Sequence, residues 1–249
     1  MKIKVKITRQ ENATYFNCNI NDIVEVEFEE YVAAVTASEL ASGNLECECA
    51  QAIASRTFAV GRGVLNGTPI SDSSSVAQAY RAPRYNKDKY PLCVEAAEKT
   101  AGQIICYNGK PISAVFSASN GGRTVSSQEK WGGVRAYLIA QDDPWDAAAG
   151  TGKTGHGVGM SQRGAKYAAA NGYNYKQILS FYYPNTKIIS NYGNGEEVTM
   201  DNTKALKVVE AAQSCMGFPY VFGAWGEACT PSARRKRVRD AHPTIVTGC

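Results

Sequence analysis

The sequence predicts an α+β fold, in which short strands and several helices form one main domain. Polar and apolar residues alternate over residues 2–8 and 22–28, as is typical of half-buried strands. Apolar residues then recur at helical spacing over residues 29–40 and 45–61, which predicts two helices separated by a turn at Ser42-Gly43. The chain shows no internal repeat.

The region up to residue 190 is also predicted to contain both strands and helices. A hairpin is predicted from residues 103–106 and 112–117, because Asn108-Gly109 between them is a strong turn signal. The remaining predicted elements are helices at 91–100, 161–171 and 175–182, loops at 66–75 and 142–154, and a last strand at 184–189.

Length and composition fit one large domain or one domain plus a fragment. The chain has 249 residues, of which 44% are hydrophobic, which is enough for a packed core. Residues 191–201 contain Gly193, Gly195 and several polar residues, and we interpret them as a linker. The predicted domains are therefore residues 1–190 and residues 202–249, the second being incomplete.

Charge, hydropathy and cysteine spacing exclude several function classes. The net charge of +4 is mild, and no pervasive basic surface is indicated, so we expect no nucleic-acid partner. No apolar run is long enough to span a membrane, and no export signal is visible at the N-terminus. The eight cysteines form no CxxC pair, which favours scattered buried thiols over a zinc site made of cysteines.

Two titratable residues stand out by their context. Glu39 ends an apolar helix, where partial desolvation would raise its pKa and keep a proton available for acid catalysis. His156 lies in Gly155-His156-Gly157-Val158-Gly159, whose glycines would allow close approach to a ligand. The alternatives are a surface glutamate at a helix end and a structural histidine in a glycine-rich turn.

A third polar turn contains Ser119, Asn120 and Gly121. A serine hydrolase built from Ser119, His156 and Asp142 can be imagined. The sequence disfavours it, because no G-x-S-x-G motif is present.

Taken together, the residues resemble the stage II sporulation protein D (SpoIID)/LytB family of bacterial cell-wall proteins. The resemblance covers about residues 20–190, and its specificity comes from the order of its blocks. The matching blocks are residues 31–40, 50–59, 78–80, 97–102, 116–124, Trp131, 137–138, 155–165 and 178–183, including Gly-His-Gly-Val-Gly-Met-Ser-Gln at 155–162.

The resemblance implies a peptidoglycan lytic transglycosylase with a glycan cleft, acting on strands stripped of their stem peptides. The family's catalytic glutamate corresponds to Glu39, and its helix-borne arginine corresponds to Arg56. One carboxylate suffices for this reaction, because the sugar's own 6-hydroxyl replaces water and gives a 1,6-anhydro product. The other predicted substrate contacts are Gln78, Tyr80, Ser119, Asn120, Gly121, His156, Ser161 and Gln162; no cofactor and no metal are expected.

The sequence departs from the family pattern in two places. Some members carry a zinc site with Cys and His before the Gln-Ala-Tyr block, where this chain has Ser71, Val76 and Ala77. Leu40-Ala41 stands where a Met-Pro pair is common. The first departure predicts that no structural zinc is bound.

The C-terminal region resembles the opening of an NlpC-type cell-wall cysteine peptidase domain, through Gly217-Phe-Pro-Tyr-Val-Phe-Gly223. Such enzymes need a cysteine in an Asp-Cys-Ser-Gly-like context and a later histidine. Neither Cys229 nor Cys249 fits, so we expect this fragment to be inactive as a peptidase.

Two rival functions stay open. The domain could be a non-catalytic module that binds peptidoglycan and enhances an amidase, or a wall anchor for a parent protein that is mainly a peptidase. In each case the expected partners are glycan strands, together with other cell-wall hydrolases in the enhancer case. The expected location is the cell envelope or the exterior, with delivery by a phage or conjugation system as one route.

Overall fold

The computed structural model describes residues 1–150, 152–190 and 192. The predicted linker, apart from Tyr192, and the predicted peptidase fragment at 202–249 lie outside the described residues. In chain order the elements are β1 (Lys2–Lys6), α1 (Gln10–Phe16), β2 (Ile23–Glu27), α2 (Phe28–Glu39), α3 (Leu45–Gly61), β3 (Ile70–Ser71), α4 (Pro91–Lys99), β4 (Ile104–Tyr107), β5 (Lys110–Pro111), β6 (Phe116–Ser117), α5 (Ser127–Trp131), α6 (Pro144–Ala148), β7 (Met160–Ser161), α7 (Gln162–Ala170), α8 (Tyr175–Tyr182) and β8 (Lys187–Ile189). This mixture of helices and small sheets confirms the predicted α+β class.

The first sheet has the strand order β2-β1-β3. Strand β1 pairs antiparallel with β2, with Ile3 opposite Val26, and parallel with β3. Both predicted N-terminal strands are thus confirmed. The connecting helix α1 was not predicted, because its seven residues carry too short a pattern to show helical periodicity.

Helix α3 is the central element of the described domain. Most of its residues are buried on all sides, and it packs against α2 and α4 as well as α7 and α8. Its many alanines and cysteines explain this position, since small side chains let neighbouring helices approach closely. One face contributes Cys49 and Ala52 to a core with the first sheet, and the other contributes Ile53 and Ala54 to a second core.

The second sheet has the order β5-β4-β8, with antiparallel pairing throughout. The predicted turn at Asn108-Gly109 is confirmed, and both residues have positive φ. The second arm of the hairpin was predicted at 112–117, but the strand that pairs with β4 is Lys110–Pro111. Ile112 N still donates to Ile105 O at 3.0 Å, and beyond it β6 pairs in parallel with β7, which lies more than forty positions later in the chain.

The predicted loop at 142–154 contains helix α6, which is a correction. Asp143 caps this helix by accepting hydrogen bonds from Trp145 N and Asp146 N, and Pro144 occupies its first turn. Asp143-Pro144 is itself a helix-start signal in the sequence, so this element was open to prediction. The short helix α5 was also missed, and it is held by a capping box between Ser126 and Glu129.

Candidate active site

Glu39 lies at the C-terminal end of α2, on the wall of a cleft of about 680 Å³. The segments around Ser117 and His156 also line this cleft. Among the described residues, Glu39 is the one carboxylate that lines this cleft. The predicted catalytic residue and the predicted histidine are therefore brought to the same cavity.

The Glu39 carboxylate is partly desolvated and has one hydrogen bond from the backbone. Its Oε1 atom accepts from the amide of Ala79 at 2.5 Å. Burial raises the pKa of Glu39, and the Ala79 hydrogen bond opposes that rise without cancelling it. The sequence-based expectation of a raised pKa thus agrees with the surroundings of this carboxyl.

The loop after Glu39 is organised by a second, fully buried carboxylate. Ala41 and Gly43 both have positive φ, so the chain turns sharply directly after the helix. Glu48 Oε1 accepts from the backbone amides of Ser42 and Gly43 and from the Ser42 hydroxyl. Glu48 therefore holds the path of the chain next to the candidate catalytic residue. No pattern in the sequence predicts this role.

The glycines around His156 serve a close approach to the protein's own backbone. A Cβ on Gly159 would collide with the carbonyl oxygen of Val115, and one on Gly155 would lie 2.9 Å from the Cβ of Ser117. Both glycines also have positive φ. These two glycines therefore allow a close approach to the segment that leads into β6, and Gly155 also lines the Glu39 cleft.

His156 is held in place by backbone groups and by one aromatic ring. Its Nδ1 accepts from Val158 N at 3.0 Å, and the ring also bonds the backbone of Phe116. Burial lowers the pKa of His156; the Phe116 hydrogen bond opposes this shift, and the charges of Lys130 and Lys153 add to it. The exposed Trp131 packs against it with ring centroids 5.4 Å apart.

Arg56, a predicted substrate contact, lies away from the Glu39 cleft and bonds other parts of the fold. The side chain is 1% exposed and lies outside the residues that line the Glu39 cleft. All five of its N–H groups are used: two bond Glu29, and the others bond Thr100 Oγ1, Gln103 O and Ala97 O. No donor remains for a sugar.

Gln78 lines the cleft, but Tyr80 does not. The Gln78 amide nitrogen donates to Tyr31 Oη and to Ser55 O, both at 3.1 Å, while its buried Oε1 has no hydrogen-bond partner among the described residues. Tyr80 is buried in the first core, where its ring stacks on Tyr31 at 4.8 Å. Tyr80, a predicted substrate contact, therefore packs in the core beside the cleft wall.

The polar turn at residues 119–121 is tied to a buried aspartate. Asp146 Oδ2 accepts from Ser119 Oγ at 2.9 Å and from Gly121 N at 2.7 Å, and its Oδ1 accepts from Ser161 Oγ. Asn120 Nδ2 donates to Asp143 Oδ2 at 2.7 Å. These contacts hold the turn against α6 and α7.

Five further predicted substrate contacts lie outside the lining of the Glu39 cleft. Ser119, Asn120, Ser161 and Gln162 are buried. Gln162 donates to Gln51 Oε1 at 3.4 Å. The Gly121 backbone faces Asp146 and Lys153. Ser161 caps α7 by accepting from Gly164 N.

Three residues that sequence reasoning missed line the cleft: Phe58, Arg62 and Arg135. Phe58 lies in the last turn of α3 and Arg62 is its C-cap residue, and their spacing by four residues could have grouped them. Arg135 follows α5 in a loop, where the sequence carries no comparable signal.

The described residues contain no group of three or more His, Cys, Asp or Glu side chains placed to hold a metal ion. No described helix is long and apolar enough to cross a membrane. The five described cysteines are free thiols, and four of them are buried.

Comparison with known proteins places a family match in the first half of the chain. Residues 17–107 match the model of the SpoIID family, described as stage II sporulation protein. The amidase enhancer of Bacillus subtilis (strain 168) is 36% identical over 110 residues, which cover 44% of this chain and 14% of that relative.

Two sporulation proteins are similar over a longer stretch. The stage II sporulation protein D of Bacillus subtilis (strain 168) is 32% identical over 142 residues, covering 51% of this chain and 41% of that protein. Its counterpart from Bacillus amyloliquefaciens is 29% identical over 141 residues, with the same coverage of 51% and 41%. The chain thus spans less than half the length of these relatives, and the matches support a SpoIID-family domain in it.

Proposed function

We propose that the chain is a peptidoglycan lytic transglycosylase that cuts glycan strands at the Glu39 cleft. One observation carries the proposal: a single, partly desolvated carboxylate lines a cleft of about 680 Å³ among the described residues. Hydrolases that invert or retain configuration usually place two carboxylates around the bond they cut. A site with one carboxylate favours the reaction in which the sugar supplies its own nucleophile.

In this mechanism Glu39 acts twice. Burial raises the pKa of Glu39 and so favours its protonated form, and that proton passes to the glycosidic oxygen as the bond to the anomeric carbon breaks. The resulting carboxylate then removes the proton of the 6-hydroxyl on the same muramic acid. That oxygen bonds to the anomeric carbon and closes the anhydro ring, which needs no positioned water.

The cleft offers surfaces that suit a saccharide. The indole of Trp131 is 52% exposed, and Phe58 also lines the cleft, so flat apolar rings are available to the sugar faces. His156, whose bonds go to backbone groups, positions the wall and supports Trp131.

The variant Glu39→Gln tests the proposal. It keeps the size of the side chain and the acceptor for Ala79, but it has no transferable proton. General acid–base catalysis contributes about 10²–10⁴-fold to a rate. Since one residue serves both steps, the variant should turn over peptide-free glycan strands about 10⁴-fold more slowly, or slower still. Binding of the strands should survive, because the cleft is unchanged.

The matched control is Glu25→Gln, which removes an exposed carboxylate on β2 and should keep wild-type turnover. Near wild-type release of anhydro-muramyl products by Glu39→Gln would remove Glu39 from the mechanism.

A second candidate is a non-catalytic module that binds peptidoglycan and enhances an amidase. The observation that favours it is the 36% identity to a relative named amidase enhancer. In that case the wild type and Glu39→Gln would raise the rate of a cell-wall amidase equally, and neither form would release anhydro products. A cell-wall role of either kind implies action in the cell envelope or outside the cell.

A further inference from the structure

The Glu39 cleft contains two cations that lack an acidic partner. Arg62 and Arg135 are both exposed and both line the cleft. The ion pairs found in the described part of the chain involve other cations. The Arg62 guanidinium lies 5.0 Å above the Phe58 ring and donates weakly to Val76 O at 3.4 Å. Arg135 is anchored through its backbone, whose N–H donates to Ser127 Oγ at 2.9 Å.

The charges around these arginines leave the rim of the cleft positive. Lys130 and Lys153 lie close enough to His156 to lower its pKa. The acid next to them, Glu129, uses its carboxylate to accept from Ser126 in the capping box of α5. Asp142 is paired with Arg123 at 3.1 Å. Glu39 is thus the one acid in the cleft lining, which also contains the guanidinium groups of Arg62 and Arg135.

We propose that Arg62 and Arg135 bind the lactyl carboxylate of muramic acid in the glycan strand, an inference that rests on the proposed function. In a strand that carries stem peptides, this carboxyl is tied up in an amide bond and has no charge. In a peptide-free strand it is a free carboxylate at every muramic acid. A guanidinium is suited to this group, since it can donate two parallel hydrogen bonds to one carboxylate.

The arginine pair would therefore select peptide-free strands by charge. The free carboxylate gains charge-assisted hydrogen bonds in the cleft, and the amide form leaves both guanidinium groups without an acceptor of opposite charge. The contact lies on exposed side chains, so its contribution should weaken as salt is added.

Binding is the direct test, and it is measured in the Glu39→Gln background so that the strand stays intact. The probes are peptide-free glycan oligosaccharides and the same oligosaccharides after reduction of the lactyl carboxyl to an alcohol. We expect tighter binding of the carboxylate form. Arg62→Gln and Arg135→Gln should each weaken that binding by about 3- to 10-fold and leave binding of the reduced form nearly unchanged.

Two comparison variants sharpen the result. Arg62→Lys keeps the charge but loses the paired donors, so it should recover part of the lost affinity. Lys110→Gln removes one exposed positive charge from the β4–β5 hairpin, outside the cleft, and should bind both probes as the parent does. Equal affinity for the two probes, an equal loss for both probes in the arginine variants, or no binding of either probe would overturn the inference.

Failure of this inference is distinguishable from failure of the proposed function. Carboxylate-dependent binding that requires the arginines supports the inference, even if the wild-type chain releases no anhydro products. The absence of those products would contradict only the transglycosylase proposal. Wild-type cleavage, combined with equal binding of the two probes, would contradict only the arginine contact.

Discussion

At the scale of single residues, Glu39 and Glu48 show how two desolvated carboxyls in one region differ in their surroundings. Glu39 faces the cleft and accepts one backbone hydrogen bond. Glu48 is fully buried, and its Oε1 accepts three hydrogen bonds from Ser42 and Gly43, while its Oε2 has no hydrogen-bond partner among the described residues. The first is placed to exchange a proton with a ligand, and the second to shape a loop.

Glu48 gives a prediction about stability and pH. Burial raises the pKa of Glu48, so the folded protein holds its proton more tightly than the unfolded chain does. The stability from this proton is fully present below the unfolded pKa of about 4.3, and it is lost as pH rises through the folded pKa. Glu48→Gln keeps an acceptor for the loop and cannot ionise, so stability should fall less steeply over this pH range.

Urea unfolding followed from acid to neutral pH measures this slope. Glu39, whose pKa is also raised, leaves part of the slope in the variant. Glu25→Gln, at an exposed position, should keep the wild-type slope. An unchanged slope in Glu48→Gln would show that the carboxyl of Glu48 does not couple to folding.

At the scale of elements, Arg56 joins three parts of the fold. It projects from α3 to Glu29 on α2 and to Ala97 on α4. Arg56→Lys keeps the charge but cannot reach all of these partners, so the free energy of unfolding should drop by about 2–4 kcal/mol. The affinity of the folded protein for glycan strands should stay the same, because Arg56 lies outside the cleft.

The matched control for Arg56 is Arg123→Lys, at an exposed ion pair with Asp142. It should change stability by no more than about 0.5 kcal/mol. Weaker glycan binding by a well-folded Arg56→Lys protein would restore the substrate contact that the sequence predicts.

The segment before β7 gives a second prediction at this scale. Gly159→Ala puts a methyl group against the Val115 carbonyl at a backbone with φ of 71°, so the approach of β7 to β6 must open. We expect a loss of more than about 2 kcal/mol of stability. Gly109→Ala has nearly the same φ of 73° with open space around it, and it should cost about 1 kcal/mol. Equal losses in thermal unfolding would contradict the close approach.

Elements with several turns of regular pattern were predictable, whereas short ones held by distant contacts were not. Helix α3 was predicted with the bounds it has, because seventeen residues carry a clear periodicity. Strands β6 and β7 have two residues each, and their pairing depends on Gly159 reaching Val115, which no local pattern encodes. The same holds for the partners of Arg56 and Ser119, which come from distant parts of the chain.

At the scale of the described domain, six segments of the chain line the cleft. The end of α2 brings Glu39, the end of α3 brings Phe58 and Arg62, and the segment before Tyr80 brings Gln78. The segments around Ser117, Trp131 and His156 complete the lining. Sequence reasoning identified Glu39, Gln78 and His156, because their surroundings in the chain are distinctive. It could not separate them from buried residues in the same blocks, such as Tyr80 and Ser161, since a family block does not reveal which side chains face inward.

The central claim is that Glu39 drives an intramolecular attack by the sugar and not an attack by water. The direct measurement is a digest of peptide-free glycan strands in water labelled with heavy oxygen, with the new chain ends weighed by mass spectrometry. The account predicts 1,6-anhydro ends that carry no heavy oxygen, formed by the wild type and not by Glu39→Gln. Reducing ends that carry heavy oxygen would show that water attacks, and would contradict the one-carboxylate mechanism.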